Sequence, residues 1–466
     1  MKSISRRALS LYLIIILFLA GCGLLFYNLV SNSSDWAMNR ANQHLYSSGN
    51  LATAGDITDV KGNILATTKD GKRVYSDSKN VRLATLHTVG DCAGFIASGI
   101  QTSFKDELTG YTLVDGVYNL KRYGKGNDIK LTLNSDVCAA AYKALGNKKG
   151  TVGVMNYKTG ELVCVVSTPT YDIKNKPEDI DTNTTDKYEG IYMNRFFSGL
   201  YTPGSTFKVI TAASAIENIP DIYSRTFECE GKILIGEGYV ICNGTHGKID
   251  FETAMNESCN CAFYKMGLDV GADAILSTAK KFGIGTPVIT DGDFLGETHG
   301  TVPDVKEITD TANYTIGQGE ILKTPVQAAN MVCIIANGGV AGDVNIISQT
   351  SDAAGKNTLP IPDTQAVRIS TKTSEYVKNC MISAVKDGTG KLLSQSEAKI
   401  AGKTGTAETG WEVGGRTLVH GWFCGFFPYD NPQYAMAVLV EDGGSGAASA
   451  APVFGEIAEE IMKFYP

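Results

Sequence analysis

Residues 201–208 read Tyr201-Thr202-Pro203-Gly204-Ser205-Thr206-Phe207-Lys208. Pro-Gly is a turn signal. The residues that follow, Phe207, Val209, Ile210, Ala212, Ala213, Ala215 and Ile216, are apolar at helical spacing, and Pro220 ends the run. The pattern predicts a helix over 206–218 that starts at Ser205 and carries Lys208 one turn on, on the same face. A serine hydroxyl is a poor nucleophile until a base takes its proton. Lysine can be that base only if its pKa falls. Burial lowers it, and so does the positive end of a helix. The helix is apolar nearly all round, which predicts a buried helix. Taken alone, Ser-x-x-Lys describes an N-capping serine and a surface lysine equally well.

Two further strings change that reading. Ser258-Cys259-Asn260 supplies a hydroxyl and an amide that can both donate and accept hydrogen bonds. Such a pair can pass a proton to a leaving amine and hold a peptide substrate. Lys403-Thr404-Gly405-Thr406 precedes two strand-like runs at 421–428 and 434–441. Gly405 lets a substrate backbone approach closely. Lys403 brings positive charge, and Thr404 and Thr406 bring hydroxyls for a terminal carboxylate. Each string alone also fits a polar loop or an exposed strand. In this order, S-x-x-K, S-x-N and K-T-G are the signature of enzymes acylated on serine by penicillin.

On these strings the chain resembles a class B penicillin-binding protein, a monofunctional D,D-transpeptidase of peptidoglycan synthesis. The likeness runs from about residue 150 to the C-terminus. It includes Thr159-Gly160-Glu161, Asn194-Arg195, Ile316-Gly317-Gln318-Gly319, Thr324-Pro325, Gly388-Thr389-Gly390 and His420-Gly421-Trp422-Phe423. The resemblance implies that Ser205 is the nucleophile, Lys208 its general base, and Ser258 and Asn260 a proton relay that also positions the stem peptide. It implies that Lys403 assists electrostatically and that Thr404, Gly405 and Thr406 bind substrate. The backbone N–H groups of Ser205 and Thr406 would form the oxyanion hole. Residues 54–62 are similar to the family's R-G-x-x-x-D-R-x-G motif but lack both arginines. That departure bears on the N-terminal domain, not on the catalytic strings.

The N-terminus fits an enzyme working outside the cytoplasm. Lys2, Arg6 and Arg7 precede an uncharged apolar run over 8–30, long enough for a bilayer core that needs about 20 residues. The charge bias predicts a single-pass cell-membrane protein, with residues 1–7 a cytoplasmic stub and the bulk outside. Leu19-Ala20-Gly21-Cys22 also resembles a lipobox, but residues 23–30 stay apolar beyond the cysteine, so an uncleaved anchor is expected. Residues 31–51 are expected to be helical. Residues 31–140 are read as a pedestal of short strands and loops, and 141–466 as the transpeptidase domain. Strands, then helices, then antiparallel strands and a last helix at 453–464 predict an α/β (α+β) sandwich with helices on a mainly antiparallel sheet, the fold the family resemblance also implies.

The chain has 466 residues and a formal net charge of −7, with no basic stripe, which speaks against a nucleic-acid partner. Five scattered histidines form no H-E-x-x-H pattern and are expected to be structural. Eleven cysteines are an odd number, so at least one is unpaired or lipidated. Cys229 and Cys242 flank a hairpin-like stretch and could form a disulfide. With His246 they could instead ligate zinc, but the sequence shows no fourth ligand. No metal and no cofactor are expected, and Cys259 and Cys261 are read as small apolar side chains.

The expected partners are stem peptides (a D-Ala-D-Ala donor and an amine acceptor), β-lactams and the cytoplasmic membrane. The resemblance further implies a SEDS-type membrane glycosyltransferase. A D,D-carboxypeptidase or class D-like β-lactamase would use the same strings with water as acceptor, but the pedestal and anchor favour the transpeptidase. A β-lactam sensor would need a cytoplasmic output domain, for which seven residues are too few. A catalytically dead scaffold would not need all three strings intact.

Overall fold

A computed structural model describes residues 2–39, 45–47, 50–51, 53–114, 116, 126–236, 238–292, 294–305, 307–359 and 365–465. Along its apolar run the side chains of helix α1 (Lys2–Ala37) are exposed, and its last turns meet the body of the protein, where Ser34 Oγ donates to Asp106 at 3.1 Å and Asp35 pairs with Lys105 at 2.9 Å. Residues 7–37 form one helix long and apolar enough to cross a membrane. The helix expected to reach residue 51 stops at Ala37, and Tyr46–Ser47 pairs instead with Asn50–Leu51. Residues 40–44, 48 and 49 of that expectation lie outside the described residues.

The N-terminal region forms a sheet of β1 (Ile57–Thr58), β2 (Ile64–Lys69), β3 (Lys72–Tyr75) and β4 (Asp128–Leu131). It is completed from far along the chain by β11 (Ile347–Ser351) and β12 (Asn357–Thr358), in the order β12-β11-β4-β1-β2-β3. Chain from beyond residue 340 therefore enters the sheet assigned from sequence to residues 31–140. A helix the sequence reading missed, α2 (Lys79–Val89), is capped by Ser78. Its buried face includes Arg82, Thr85, His87 and Thr88, and those polar residues hid its periodicity. Arg82 earns its burial through a bidentate pair with Asp172, at 2.7 and 2.8 Å, that ties α2 to the loop after the strand Leu162–Thr168.

A different arginine serves the 54–62 segment. Arg73 donates to the Ala54 and Gly55 carbonyls at 3.1 and 2.6 Å. Buried Asp59 accepts from Lys61 N, Asn63 N and the Ser135 hydroxyl, which links the motif to the start of α3 (Ser135–Leu145).

The C-terminal part of the chain is built on a five-stranded antiparallel sheet, to which strands from 150–168 also contribute. Its strands are β5 (Gly150–Asn156), β6 (Leu162–Thr168), β13 (Ala401–Val413), β14 (Arg416–Phe427) and β15 (Tyr434–Val440), in the order β13-β14-β15-β5-β6. Central β15 is buried at every position, as its unbroken Tyr-Ala-Met-Ala-Val-Leu-Val run requires. One face is covered by α8 (Gly446–Phe464), where Phe454 packs edge-on to Phe423 at 4.6 Å. The other receives α6 (Pro325–Ala336), a helix buried all round.

Helix α4 (Lys208–Asn218) is preceded by a single 3-10 turn over Gly204–Phe207, which carries Ser205. Strands β7 (Thr226–Cys229), β8 (Lys232–Ile235), β9 (Gly238–Ile241) and β10 (Gly247–Asp250) interrupt the region read as helical. They form two small antiparallel pairs ahead of α5 (Asn260–Val270). Helix α7 (Thr371–Lys386) packs against β13. β14 begins at Arg416, five residues ahead of the 421–428 run read from sequence, and with β13 it runs on as an exposed hairpin. Gly414 and Gly415, both at positive φ, make its two-residue turn.

Candidate active site

β13 is the edge strand, so its outer row of backbone groups is free to pair with a substrate in extended form. The turn of Ser205 lies directly against it. A Cβ at Gly405 would sit 2.8 Å from Thr206 Cγ2, and one at Gly204 would sit 2.6 Å from the Thr406 carbonyl oxygen. Gly204 also has φ +54°, so no other residue serves there without strain. The Ile316–Gly319 phrase supports the turn from behind, where Gly204 N donates to Gly317 O at 2.8 Å.

Ser205, Ser258, Asn260, Thr404 and Thr406 line one cleft of about 830 Å³. Lys208 and Lys403 lie beneath it, both wholly buried. Folding thus brings the three strings together. Lys208 Nζ lies 2.6 Å from Ser258 O, 3.1 Å from Ser258 Oγ and 2.7 Å from Asn260 Oδ1. The expected bond from Lys208 to Ser205 is not made. The amine is held by the S-x-N string instead, and Ser205 Oγ has no hydrogen-bond partner among the described residues. Catalytic hydrogen bonds often tighten only when substrate is bound.

Burial lowers the Lys208 pKa from 10.5 to about 7, with the thiols of Cys242, Cys259 and Cys261 opposing the shift. Burial, and then the Lys208 charge, holds Lys403 well below its ordinary value. Its Nζ donates to the Thr404 carbonyl at 3.2 Å.

Two features of the site escaped the sequence reading. Ser258 has φ +54°, a left-handed conformation that costs about 1–3 kcal/mol in a residue with a side chain. Lys208 Nζ on Ser258 O and the bond from Cys259 N to Ala254 O at 2.9 Å help hold it there. Thr389 joins the site as well: Thr404 Oγ1 bonds its hydroxyl at 2.7 Å, and it lines the cleft. The Gly388-Thr389-Gly390 phrase was the available signal.

A cluster of Cys229, Cys242, His246 and Cys259 adjoins the cleft, with all ligand atoms within 4.8 Å of one another. Cys229 and Cys242 are free thiols, so the disulfide considered from sequence is not formed. The missing fourth ligand is the central residue of the S-x-N string. Cys242 Sγ lies 3.8 Å from Cys259 Sγ, and His246 Nδ1 lies 3.3 and 3.6 Å from the sulfurs of Cys229 and Cys242. A tetrahedral zinc site with Zn–S near 2.3 Å and Zn–N near 2.0 Å has edges of roughly 3.5–3.8 Å. Contact with the Cys259 thiol and hydrogen bonds from nearby backbone groups lower the Cys242 pKa, while the same contact and burial raise that of Cys259, so a metal would have to displace the Cys259 proton on binding.

The donor set therefore fits Zn²⁺, against the expectation of no metal and of a purely structural His246. The ion would pin the S-x-N string to the β7–β10 region. Purified protein is expected to hold one zinc per chain by elemental analysis. Chelation, or Cys229→Ser, should lower the melting temperature by several degrees; metal-free protein with unchanged melting would contradict the assignment.

With this geometry in hand, comparison with known proteins places the chain. Residues 150–463 match the penicillin binding protein transpeptidase domain. A peptidoglycan D,D-transpeptidase, PbpA of Mycolicibacterium smegmatis, is 30% identical over 383 residues, covering 75% of this chain and 74% of that protein. The D,D-transpeptidase domain of a peptidoglycan glycosyltransferase from Eggerthella lenta superposes with a TM-score of 0.75 at 27% identity, covering 89% of this chain and 99% of that one. The ceftriaxone acyl-enzyme complex of penicillin-binding protein A from Mycobacterium tuberculosis gives 0.77 at 25% identity, covering 88% and 98%. The fold and site define a serine acyltransferase of the penicillin-recognising type. The chain belongs to the penicillin-binding protein transpeptidase family.

Proposed function

We propose that this peptidoglycan D,D-transpeptidase forms its acyl-enzyme on Ser205. The observation that carries the reading is the placement of Lys208: a wholly buried amine at the floor of the cleft, bonded to Ser258 and Asn260 and one turn from the nucleophile. Neutral Lys208 takes the hydroxyl proton as Ser205 Oγ attacks the carbonyl of the penultimate D-Ala. The N–H groups of Ser205 and Thr406 hold the oxyanion; removing one such donor typically slows turnover about 100- to 1,000-fold. Ser258 relays the proton to the nitrogen of the departing D-Ala as the C–N bond breaks. Asn260 holds the stem peptide's amide, and Thr404, Gly405 and Thr406 receive its C-terminal end beside Lys403.

An amine from a second stem peptide then attacks the ester carbonyl. It loses a proton to the relay, and Ser205 leaves with its hydroxyl restored. This is ping-pong covalent catalysis. A β-lactam enters as the donor does and stays attached. The reading is tested with a D-Ala-D-Ala-terminated stem peptide and an amine acceptor: D-Ala release and cross-linked product should appear together. D-Ala release with only the hydrolysed tetrapeptide would point to a carboxypeptidase.

Because Lys208 must be neutral to act, the acylation rate should rise about tenfold per pH unit up to near pH 7 and level off above it. A stopped-flow pH series on a chromogenic cephalosporin checks this, and a flat profile from pH 5 to 8 would contradict it.

The apolar run over 8–30 of helix α1 serves as the membrane anchor, with the basic stub in the cytoplasm and the catalytic domain outside. The positive charge ahead of the span supports that orientation. Anchor and N-terminal domain together would present this site to nascent glycan and offer the surface for a SEDS-type glycosyltransferase.

A further inference from the structure

A third wholly buried lysine lies behind the nucleophile and has no part in the chemistry above. Lys323 sits just ahead of α6, and its backbone pairs with Tyr201 through two bonds of 3.0 Å. Its Nζ donates to Thr206 Oγ1 at 2.7 Å and lies 5.2 Å from the centre of the Trp422 ring. Among the described residues it makes no ion pair with a carboxylate. Burial lowers its pKa to about 8, with the Cys424 thiol opposing slightly.

A buried amine without a carboxylate is a poor structural choice. An apolar side chain of similar length would fill the same space without desolvating a polar head. What the amine touches suggests why it is there. Thr206 follows the nucleophile, and its hydroxyl donates a hydrogen bond to Pro203 O at 2.7 Å, closing the 3-10 turn. A Cβ at Gly405 would meet Thr206 Cγ2 at 2.8 Å, then Trp422 Cβ at 3.0 Å and Thr206 N at 3.3 Å. Thr206 is thus wedged between the two proposed oxyanion donors, next to Ser205 in sequence and across from Gly405-Thr406 in space. Trp422, the ring under the amine, pairs with Gly405 in the sheet and donates from Nε1 to Thr202 O at 3.1 Å. One amine therefore holds the turn that carries Ser205 and contacts the ring anchored beneath the edge strand.

We propose that Lys323 is a positioning residue for acylation. By fixing Thr206 against Gly405 and Trp422, it sets the spacing between the Ser205 and Thr406 N–H groups where they meet the carbonyl oxygen. The inference rests on the assignment of Ser205 as nucleophile, which an adduct map tests separately. A displacement of about 1 Å at such a site can lower the rate on the order of 100-fold.

The test compares wild type, Lys323→Met, Thr206→Val and the double variant. Stopped-flow acylation by a chromogenic cephalosporin gives the initial binding constant and the acylation rate constant separately, and melting temperature is measured alongside. The expected result is a Lys323→Met protein that melts at or above the wild-type temperature. It should bind the cephalosporin within about threefold of wild type yet acylate roughly 10- to 100-fold more slowly. Because the two residues act through one bond, the double variant should be no slower than the slower single variant. The proposal is overturned if Lys323→Met acylates within twofold of wild type. It is equally overturned if rate and melting temperature fall together while the two substitutions act additively, which is the signature of ordinary packing.

Discussion

Lys208→Met should slow penicillin acylation by about 100- to 10,000-fold, the usual contribution of a general base, without loss of fold. The wild-type amine is wholly buried, and methionine fills nearly the same volume. Deleting an amine that burial has already pushed down to about 7 leaves only the Ser258 and Asn260 acceptors to find other partners. Lys208→Arg should fare no better, because a guanidinium remains charged and cannot take a proton. The second-order rate constant with a fluorescent penicillin is the measurement. A rate within threefold of wild type in the methionine variant would remove Lys208 from the proton-transfer role and leave Ser258 or Lys403 to be considered.

Arg195→Ala should be the most destabilising single change away from the cleft, at about 3–5 kcal/mol, the usual effect of breaking a buried ion pair by removing one partner. Arg195 is 1% exposed. It donates from Nε to Glu441 Oε1 at 2.7 Å and from its other nitrogens to the carbonyls of Gly190 and Glu189. Glu441 also accepts from the Tyr201 hydroxyl at 2.6 Å, so the pair anchors the start of the 201–208 stretch at the end of β15. Removing Arg195 leaves a largely buried carboxylate and two carbonyls without their donor. Arg416→Ala offers the contrast: its pair with Asp442 is largely exposed, and its loss should change stability by less than about 1 kcal/mol. Urea unfolding of the two variants distinguishes the cases, and similar midpoints would contradict the account.

The catalytic strings were legible because each carries a local signal: a Pro-Gly turn before a helix, a polar triplet, a glycine in an edge strand. The residues that sequence reasoning passed over act through contacts that local patterns do not encode. Cys259 looked like a small apolar filler until the β7–β10 region brought Cys229, Cys242 and His246 beside it. Thr389 faces Thr404 across a separation of 15 residues, and Lys323 reaches Thr206 across 117. The left-handed Ser258 has no signature in its neighbours. The strands over 226–250 were missed for a different reason. Each is four residues long and belongs to a two-stranded pair, so neither length nor alternation stands out. Continuous apolar runs such as 434–440 were visible because a central strand is buried on both faces.

The most direct test is the mass of the intact protein after exposure to benzylpenicillin, followed by peptide mapping. One penicilloyl group should appear per chain, linked as an ester to Ser205, and Ser205→Ala should carry none. An adduct on any other residue, or undiminished labelling of the alanine variant, would contradict the assignment of the nucleophile and the mechanism built on it.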